Sequence, residues 1–312
     1  MSEMRYEAPK TLAAALALLS GANGRASVLA GGTDLLLQMR AGRVEPELLV
    51  DIKDIPEMTS IVAEDGTFRF GAAVTCMELI EHEAFAKEWP GVTDAVKLIG
   101  SIQVKGRATV GGNLCNASPA ADSVTAMIAA GAIVGIIGPD GRRESPVEDV
   151  VTGPGKTSLV NGEIVTSFLL PQRPPHSGDA YLRFTPRTEM DIAVVGAGVN
   201  LTLDDEGVCS QARVCLGAVA ERPLLVPEAA AALIGTKVDV AALKRLAAAA
   251  SAACRPIDDK RGTKEFRIRV AGVMARRAAE MALARSLSDL APTNSFSSMS
   301  ERQIRQAAGE NN

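Results

Sequence analysis

The stretch that decides the fold runs from Thr109 to Gly131 and reads T-V-G-G-N-L-C-N-A-S-P-A-A-D-S-V-T-A-M-I-A-A-G. Gly111 and Gly112 predict a turn in it, because a residue without a Cβ lets the backbone bend sharply and lie against another molecule. A second stretch, Val28–Leu36 (V-L-A-G-G-T-D-L-L), repeats the pattern of a short apolar strand, a glycine pair, polar residues and an apolar run. Two such turns can hold one diphosphate between their N–H groups. Alone they predict no more than a nucleotide-type ligand, and each is also compatible with an ordinary turn.

A helix is predicted after the second glycine pair. Ser118 is a favourable N-cap, Pro119 suits the first helical position, and Asp122 places a negative charge in the first turn, where the helix dipole favours it. Gly131 predicts the end of this helix, because helices commonly stop at a glycine.

Composition and charge exclude several classes of protein. The chain has 312 residues, enough for two or three domains with sizeable cores, and its net charge of -4 argues against a nucleic-acid-binding surface. The N-terminus M-S-E-M-R-Y-E lacks the basic and apolar regions of a signal peptide. The longest apolar run, Ala126–Ile137, is shorter than the ~20 residues that span a bilayer. We therefore expect a cytoplasmic protein with no transmembrane segment.

Potential metal ligands are sparse and scattered. The absence of a C-x-x-C motif and the odd number of cysteines argue against a disulfide framework and against an iron–sulfur cluster in this chain. The two histidines are isolated, and we interpret His82 as a solvated surface residue and His176 as part of a linker. The five cysteines are Cys76, Cys115, Cys209, Cys215 and Cys254.

Short turn motifs decide the type of sheet. Asp65-Gly66, the P-D-G of residues 139–141 and Asn161-Gly162 each lie between short apolar runs, which is typical of β-hairpins. A parallel dinucleotide-binding fold needs long crossovers instead, so we predict an α+β fold with mixed or antiparallel sheets. The V-V-G-A-G-V-N stretch at 194–200 lacks the third glycine of a Rossmann loop and is predicted to be a strand.

Four motifs in order give the chain a family resemblance. They are A-G-G-T-D-L at 30–35, T-V-G-G-N with S-P-A-A-D at 109–122, R-T-E-M-D-I-A at 187–193 and D-K-R-G-T-K-E-F-R at 259–267. With these motifs the chain resembles, over roughly residues 4–287, the FAD-binding subunit of the molybdenum hydroxylases. That group includes the medium subunit of aerobic CO dehydrogenase and the flavin region of xanthine dehydrogenase.

The resemblance implies the fold and its divisions. We expect a two-subdomain FAD-binding fold of the vanillyl-alcohol-oxidase/PCMH type, followed by a C-terminal α+β domain of the CO dehydrogenase flavoprotein type. The expected parts are FAD-binding subdomain 1 at 1–57, subdomain 2 at 58–176, the C-terminal domain at 177–287 and a polar tail at 288–312. The proline-rich segment 171–178 (P-Q-R-P-P-H-S-G) is expected to be a domain linker.

The resemblance also implies where FAD lies, which is between the two N-terminal subdomains. No catalytic side chain and no metal site is implied for this chain. The implied residues of the first wall are Gly31, Gly32, Thr33 and Asp34 at the diphosphate, with Val28, Leu29, Ala30 and Leu35 lining the pocket. The implied residues of the second wall are Thr109, Val110, Gly111, Gly112 and Asn113.

Three further residues have implied roles around the flavin. Asp122 matches an aspartate that hydrogen-bonds a ribityl hydroxyl, and Val165 matches a position that lines the flavin, with a role in a strand core left open as the alternative. Arg183 stands where relatives often have a lysine near the isoalloxazine, and a cation there would stabilise the anionic reduced flavin. For Asp34 we leave open whether its carboxylate faces the ligand or caps its own turn.

The G-P-G-K-T segment at 153–157 is similar to the end of a phosphate-binding P-loop. Val150 stands where that motif needs its first glycine, so we predict an ordinary turn. The family resemblance places this turn outside the flavin site.

The activity that the resemblance implies is electron transfer. Electrons would pass from the [2Fe-2S] clusters of a small partner subunit through FAD on this chain to an external acceptor. A large partner subunit would carry the molybdenum-pterin cofactor, and the expected assemblies include a dimer of heterotrimers. Two alternatives stay open, namely a self-sufficient flavin oxidoreductase on the same fold and a flavin-free assembly subunit.

Overall fold

The first unit of the chain is a small parallel sheet in the computed structural model, which describes residues 4–187 and 190–288. The strands lie in the order β1-β3-β2 and are β1 (Arg5–Glu7), β2 (Ala26–Leu29) and β3 (Leu48–Asp51). The helices α1 (Leu12–Gly21) and α2 (Leu35–Arg40) make the crossovers that parallel neighbours require. We expected mixed or antiparallel sheets, and this sheet differs because all the turn motifs behind that expectation lie after residue 60.

The second unit is built on an antiparallel sheet in the order β4-β5-β10-β6-β7. Its strands are β4 (Ile61–Glu64), β5 (Thr67–Gly71), β6 (Ile133–Gly138), β7 (Gly141–Pro146) and β10 (Ile164–Leu170), with a separate pair, β8 (Val151–Gly153) and β9 (Lys156–Thr157). The hairpins predicted at Asp65-Gly66 and at residues 139–141 are confirmed. The hairpin at Asn161-Gly162 is wrong, because the Val160 N–H is taken up by the Glu163 carboxylate and β10 pairs with β5 and β6 instead.

Seven helices belong to this second unit within the described residues. They are α3 (Pro56–Thr59), α4 (Cys76–Glu81), α5 (Glu83–Glu88), α6 (Pro90–Lys97), α7 (Ile102–Lys105), α8 (Val110–Asn116) and α9 (Asp122–Ala129). His82 separates α4 from α5, and its Nδ1 accepts the Phe85 N–H at 3.1 Å. The interpretation of His82 as a merely solvated residue was therefore incomplete, since it caps a helix.

The third unit is a four-stranded antiparallel sheet covered by helices. Its strands, in spatial order, are β11 (Ser177–Phe184), β12 (Val195–Leu203), β13 (Cys209–Gly217) and β14 (Leu224–Leu225), and its helices are α10 (Pro227–Ala231), α11 (Val240–Ala253) and α12 (Lys264–Ser288). The V-V-G-A-G-V-N stretch leads into and forms part of β12, which confirms the strand prediction. Residues 188 and 189 of the R-T-E-M-D-I-A motif and 289–312 of the predicted tail lie outside the described residues.

Helix α9 joins the N-terminal units to the third sheet and is buried along its whole length. Two glycines of the sheet let it approach closely. A Cβ on Gly198 would lie 3.0 Å from the Cβ of Ala129, and a Cβ on Gly217 would lie 2.5 Å from the Oγ1 of Thr125. Small residues on both surfaces therefore set the distance between this helix and the sheet.

A polar contact between the units centres on Asp179 of β11, which is 3% exposed. Its carboxylate accepts the N–H groups of Gly91 and Val92 at 2.9 and 3.3 Å and lies 3.2 Å from the Arg173 guanidinium. Burial raises the pKa of Asp179 to about 6. Arg173 itself is buried and lies over the Trp89 ring, so the segment expected to be a linker also contributes to the packing between the units.

Candidate functional site

The two glycine-rich stretches meet at the backbone level. A Cβ on Gly31 would lie 2.0 Å from the Arg107 carbonyl oxygen and 3.0 Å from the Ala108 Cα. Only a glycine permits this approach, because real Cβ atoms do not come so near to backbone atoms. The loop after β2 is thereby held against the residues that immediately precede α8.

The second glycine pair lies inside a helix and not in a turn, which corrects our expectation. Helix α8 begins at Val110, and Thr109 is its N-cap, with the Thr109 Oγ1 accepting the Gly112 N–H at 2.9 Å. Helix α9 begins only at Asp122, after an N-cap at Ala121, so the assignment of Ser118 and Pro119 to its first positions is wrong. A threonine two residues before the pair is the signal for this early start, because threonine is a favoured N-cap.

Both stretches present backbone donors. The N–H groups of 31–34 donate to no acceptor within residues 4–187 and 190–288. The first turn of α8 leaves the Gly111 N–H without an intrahelical acceptor, as every helix start does. Runs of free N–H groups at helix starts favour anions.

A cavity of about 380 Å³ lies between these two stretches. Of the sixteen residues that the sequence assigns to the FAD site, twelve line it. The twelve are Val28, Ala30, Gly31, Gly32, Thr33, Asp34, Leu35, Thr109, Gly111, Gly112, Asn113 and Val165. Leu29 and Val110 are buried beneath this lining, and Asp122 and Arg183 lie outside it.

The cavity fits a bound diphosphate at Gly112. A Cβ on Gly112 would meet only the Thr109 Oγ1, at 3.0 Å, so the space beside this residue is otherwise open to the cavity. The neighbouring Asn113 is held by the Ser123 hydroxyl, which donates to the Asn113 Oδ1 at 2.7 Å. Its amide nitrogen remains available as a donor on the same wall.

Asp122 and Arg183 form a buried ion pair with each other. The Arg183 Nη1 lies 2.7 Å from one carboxylate oxygen of Asp122, and the Tyr181 hydroxyl donates to the other at 2.6 Å. Burial raises the pKa of Asp122, while the Arg183 charge and the Tyr181 hydrogen bond act in the opposite direction. The Arg183 charge is therefore neutralised locally. The contacts of both residues with FAD remain a prediction.

Asp34 occupies the N-cap position of α2 without capping it, since its side chain makes no hydrogen bond to the helix start. The alternative that its carboxylate caps its own turn is therefore wrong. Desolvation by the cavity wall raises the pKa of Asp34, although the residue keeps part of its surface in solvent. The other carboxylate of the lining, Glu163, is paired with Arg143 at 2.6 Å, and this hydrogen bond lowers its pKa.

Sequence reasoning missed several residues of the lining. Gln38 and Asn116 line the cavity and are hydrogen-bonded to each other at 2.8 Å. Gly155 and Leu159 also line it, so the placement of the G-P-G-K-T turn wholly outside the site is wrong. The Gly155 N–H donates to the Ala117 carbonyl at the end of α8, which brings this turn to the cavity. The helical spacing of four between Asp34 and Gln38 was the available signal for Gln38.

The described residues contain no group of three or more His, Cys, Asp or Glu side chains that could hold a metal ion. They also contain no helix with the length and apolarity needed to cross a membrane. All five cysteines are free.

Family models match both halves of the chain. Residues 2–173 match the FAD binding domain in molybdopterin dehydrogenase, and residues 180–282 match the CO dehydrogenase flavoprotein C-terminal domain. Together these matches cover most of the chain.

Curated proteins and solved structures agree with this match. The chain is 36% identical to the carbon monoxide dehydrogenase medium chain of Afipia carboxidovorans, over 90% of this chain and 97% of that protein. It is 33% identical to a putative xanthine dehydrogenase FAD-binding subunit of Escherichia coli, over 89% and 96%. A structure of the Cu,Mo-CO dehydrogenase matches with a TM-score of 0.87 and 36% identity, over 90% of this chain and 98% of that chain. The quinoline 2-oxidoreductase of Pseudomonas putida 86 matches with a TM-score of 0.84 and 27% identity, over 91% and 98%.

Proposed function

Because the chain belongs to the family of FAD-binding subunits of the molybdenum hydroxylases, which are oxidoreductases, we propose that it holds FAD in the cavity and passes electrons to an external acceptor. The observation that carries this proposal is the convergence of two helix starts on one cleft. The loop at 31–34, whose backbone N–H groups have no acceptor among the described residues, and the first turn of α8 line the same cavity.

Each wall has a distinct task in the proposed complex. The free N–H groups of 31–34 and of Gly111 bind the diphosphate without requiring arginine or lysine side chains. The open space at Gly112 lets the diphosphate approach the backbone. The Asn113 amide, oriented by Ser123, donates to an oxygen of the same ligand. Bound FAD supplies the two-electron redox chemistry, and the chain contributes binding and position.

The Asp122–Arg183 pair has a supporting role in this proposal. Asp122 of the ion pair is followed directly by Ser123, whose hydroxyl orients Asn113 on the cavity wall. The ion pair is therefore connected to the cavity through Ser123 and Asn113. We assign Asp122 to a ribityl hydroxyl and Arg183 to the neighbourhood of the isoalloxazine, as the family resemblance implies. Because Asp122 neutralises Arg183, this arginine stabilises an anionic flavin less than a free cation would.

The proposed partners are those that the family resemblance implies. A large molybdopterin-binding subunit oxidises the organic substrate, and a small [2Fe-2S] subunit carries the electrons to this chain. Their assembly is a dimer of heterotrimers in the cytoplasm. The similar protein from Afipia carboxidovorans is named a medium chain, which implies a larger and a smaller chain beside it and supports the two proposed partners.

Flavin titration of the isolated chain tests the binding step. The change is Gly112→Val, whose side chain would occupy the space that the diphosphate needs. We expect wild-type protein to bind one FAD per chain and the variant to bind it at least about tenfold more weakly, a loss of ~1.4 kcal/mol. Quenching of flavin fluorescence measures both affinities.

The matched control is Gly21→Val, because a Cβ at this helix end meets nothing within 4 Å. The control should bind FAD like the wild type. Wild-type protein that binds no flavin would refute the proposal, and equal binding by Gly112→Val would refute the placement of the diphosphate.

Purification from the source cell tests the electron-transfer role. We expect the chain to co-purify with two further subunits that contain molybdenum and iron, measured by mass spectrometry and metal analysis. A flavin-loaded chain that purifies alone and oxidises a substrate by itself would contradict the proposed role and favour a self-sufficient flavin oxidoreductase.

A further inference from the structure

One hydrogen bond links the two walls of the cavity directly. The Gln38 Nε2 donates to the Asn116 Oδ1 at 2.8 Å, across 78 positions of sequence, and both side chains line the cavity. Gln38 lies on α2 and Asn116 is the last residue of α8. Within residues 4–187 and 190–288, no other hydrogen bond joins the segment 26–41 to the segment 109–117.

This hydrogen bond and the Gly31 contact are two separate attachments between the same walls. Gly31 touches the backbone of Arg107 and Ala108 just ahead of α8. Gln38 and Asn116 meet farther along, about 6 Å beyond Asp34 on α2 and about 10 Å beyond Thr109 on α8. One attachment leaves the two helices free to change their relative angle, whereas two attachments fix it.

We propose that the Gln38–Asn116 hydrogen bond is a positioning contact that sets the spacing of the two helix starts for one diphosphate. This inference rests on the proposed function, because it concerns the same FAD site. A diphosphate that bridges both walls needs N–H groups at hydrogen-bonding distance on each side, and such distances vary by only a few tenths of an ångström. A pair of neutral amides supplies the link without placing a further carboxylate beside the anion.

A double-mutant cycle tests the inference through FAD affinity. The variants are Gln38→Leu, Asn116→Leu and the double substitution, since leucine keeps most of the volume and removes the hydrogen bond. We expect each single variant to bind FAD about tenfold more weakly and to release it faster, and the double variant to bind no more weakly than the singles. Such coupling arises when two residues act through one mutual contact.

Two controls separate this role from general damage. Gln103→Leu changes an exposed glutamine on α7, outside the lining, and should leave the affinity unchanged. Thermal unfolding of the flavin-free proteins should be nearly the same for the wild type and all the variants, because both amides are only partly buried. If a leucine variant does not fold, Gln38→Ala and Asn116→Ala repeat the cycle with smaller side chains.

The outcomes are distinguishable. Wild-type protein without FAD affinity would refute the proposed function itself. Wild-type affinity in the single variants would refute only the positioning role. Losses that add fully in the double variant would also refute it, because they would show that each amide contacts the ligand independently.

Discussion

The two glycine pairs share a sequence pattern and differ in backbone structure. Gly31 and Gly32 lie in a loop, and Gly32 has a positive φ of 73°. Gly111 and Gly112 lie in the first turn of a helix whose cap is Thr109. The difference teaches that a glycine pair marks a place where backbone is exposed to a partner, while a capping residue two positions ahead of the pair decides its conformation. Thr109 lies two residues before its pair and starts a helix there, whereas Leu29 stands at the equivalent position of the other stretch and has no side chain that can cap.

Within each pair the two glycines have different tasks. The first glycine of each pair provides close backbone packing, since a Cβ on Gly31 or on Gly111 would lie 2.0 or 2.4 Å from a carbonyl oxygen. The second glycine of each pair is needed for a different reason. Gly32 adopts a positive φ, and Gly112 leaves open space beside the backbone. Substitutions of the first glycine should therefore damage the fold, and substitutions of Gly112 should damage FAD binding.

The largest expected effect comes from Gly31→Ala. The new Cβ would overlap the Arg107 carbonyl oxygen, which is backbone and cannot move aside cheaply. Overpacking of this kind typically costs 1–3 kcal/mol, and we expect a loss of about 3 kcal/mol in the free energy of unfolding. Urea unfolding of the flavin-free protein measures it.

The matched control for this prediction is Gly21→Ala, which has open space around its Cβ. The control should be as stable as the wild type or slightly more stable, because alanine is the better helix former. A Gly31→Ala protein with wild-type stability would show that the two walls do not touch in the way described.

The sequence predicted where the site lies better than how its backbone is built. Twelve of its sixteen assigned residues line the cavity, because glycine pairs and their polar neighbours are local signals. The start of α8 at Val110 was missed, because the glycines outweighed the threonine cap in our interpretation. Gln38 and Asn116 were missed for another reason: their contact depends on how two segments 78 positions apart pack, which no local pattern encodes.

The fold likewise has parts that local sequence motifs predicted and parts that depend on long-range packing. The two hairpins with two-residue or P-D-G turns were predicted correctly, because turn residues dictate them. The parallel order β1-β3-β2 was not predicted, since it follows from helix crossovers that leave no turn motif. The Asp122–Arg183 ion pair was also unforeseen, because it joins residues from two different units.

An intermediate effect is expected from Thr109→Ala, which tests the cap that distinguishes the second pair. The substitution removes the hydrogen bond to the Gly112 N–H. N-cap losses of this kind cost about 1 kcal/mol of stability. Thermal unfolding of the flavin-free protein measures this loss.

The substitution to compare with Thr109→Ala is Asp34→Ala, at the start of α2. Asp34 occupies an N-cap position but makes no capping hydrogen bond, so its replacement should leave stability nearly unchanged or slightly higher. Equal losses of stability in Thr109→Ala and Asp34→Ala would contradict the difference between the two helix starts.

The smallest expected effect concerns the pH dependence of FAD binding and the substitution Asp34→Asn. Desolvation raises the pKa of Asp34, so its protonated form is favoured in the folded chain, and this contribution to stability is lost as pH rises through the raised pKa. In the same range the carboxylate becomes charged and repels the diphosphate, so FAD affinity should fall as pH rises.

Because Asp34 is partly exposed, solvent screens the repulsion to about 1 kcal/mol or less, which is under about tenfold in affinity. Fluorescence titrations that start at the ordinary pKa of an aspartate, about 4, and run up to neutral pH should show this slope in the wild type and a flatter profile in Asp34→Asn, since asparagine does not titrate. Glu163 is paired with Arg143 and is present in both proteins, so a slope that persists unchanged in Asp34→Asn would assign the pH dependence to another group and remove Asp34 from the diphosphate wall.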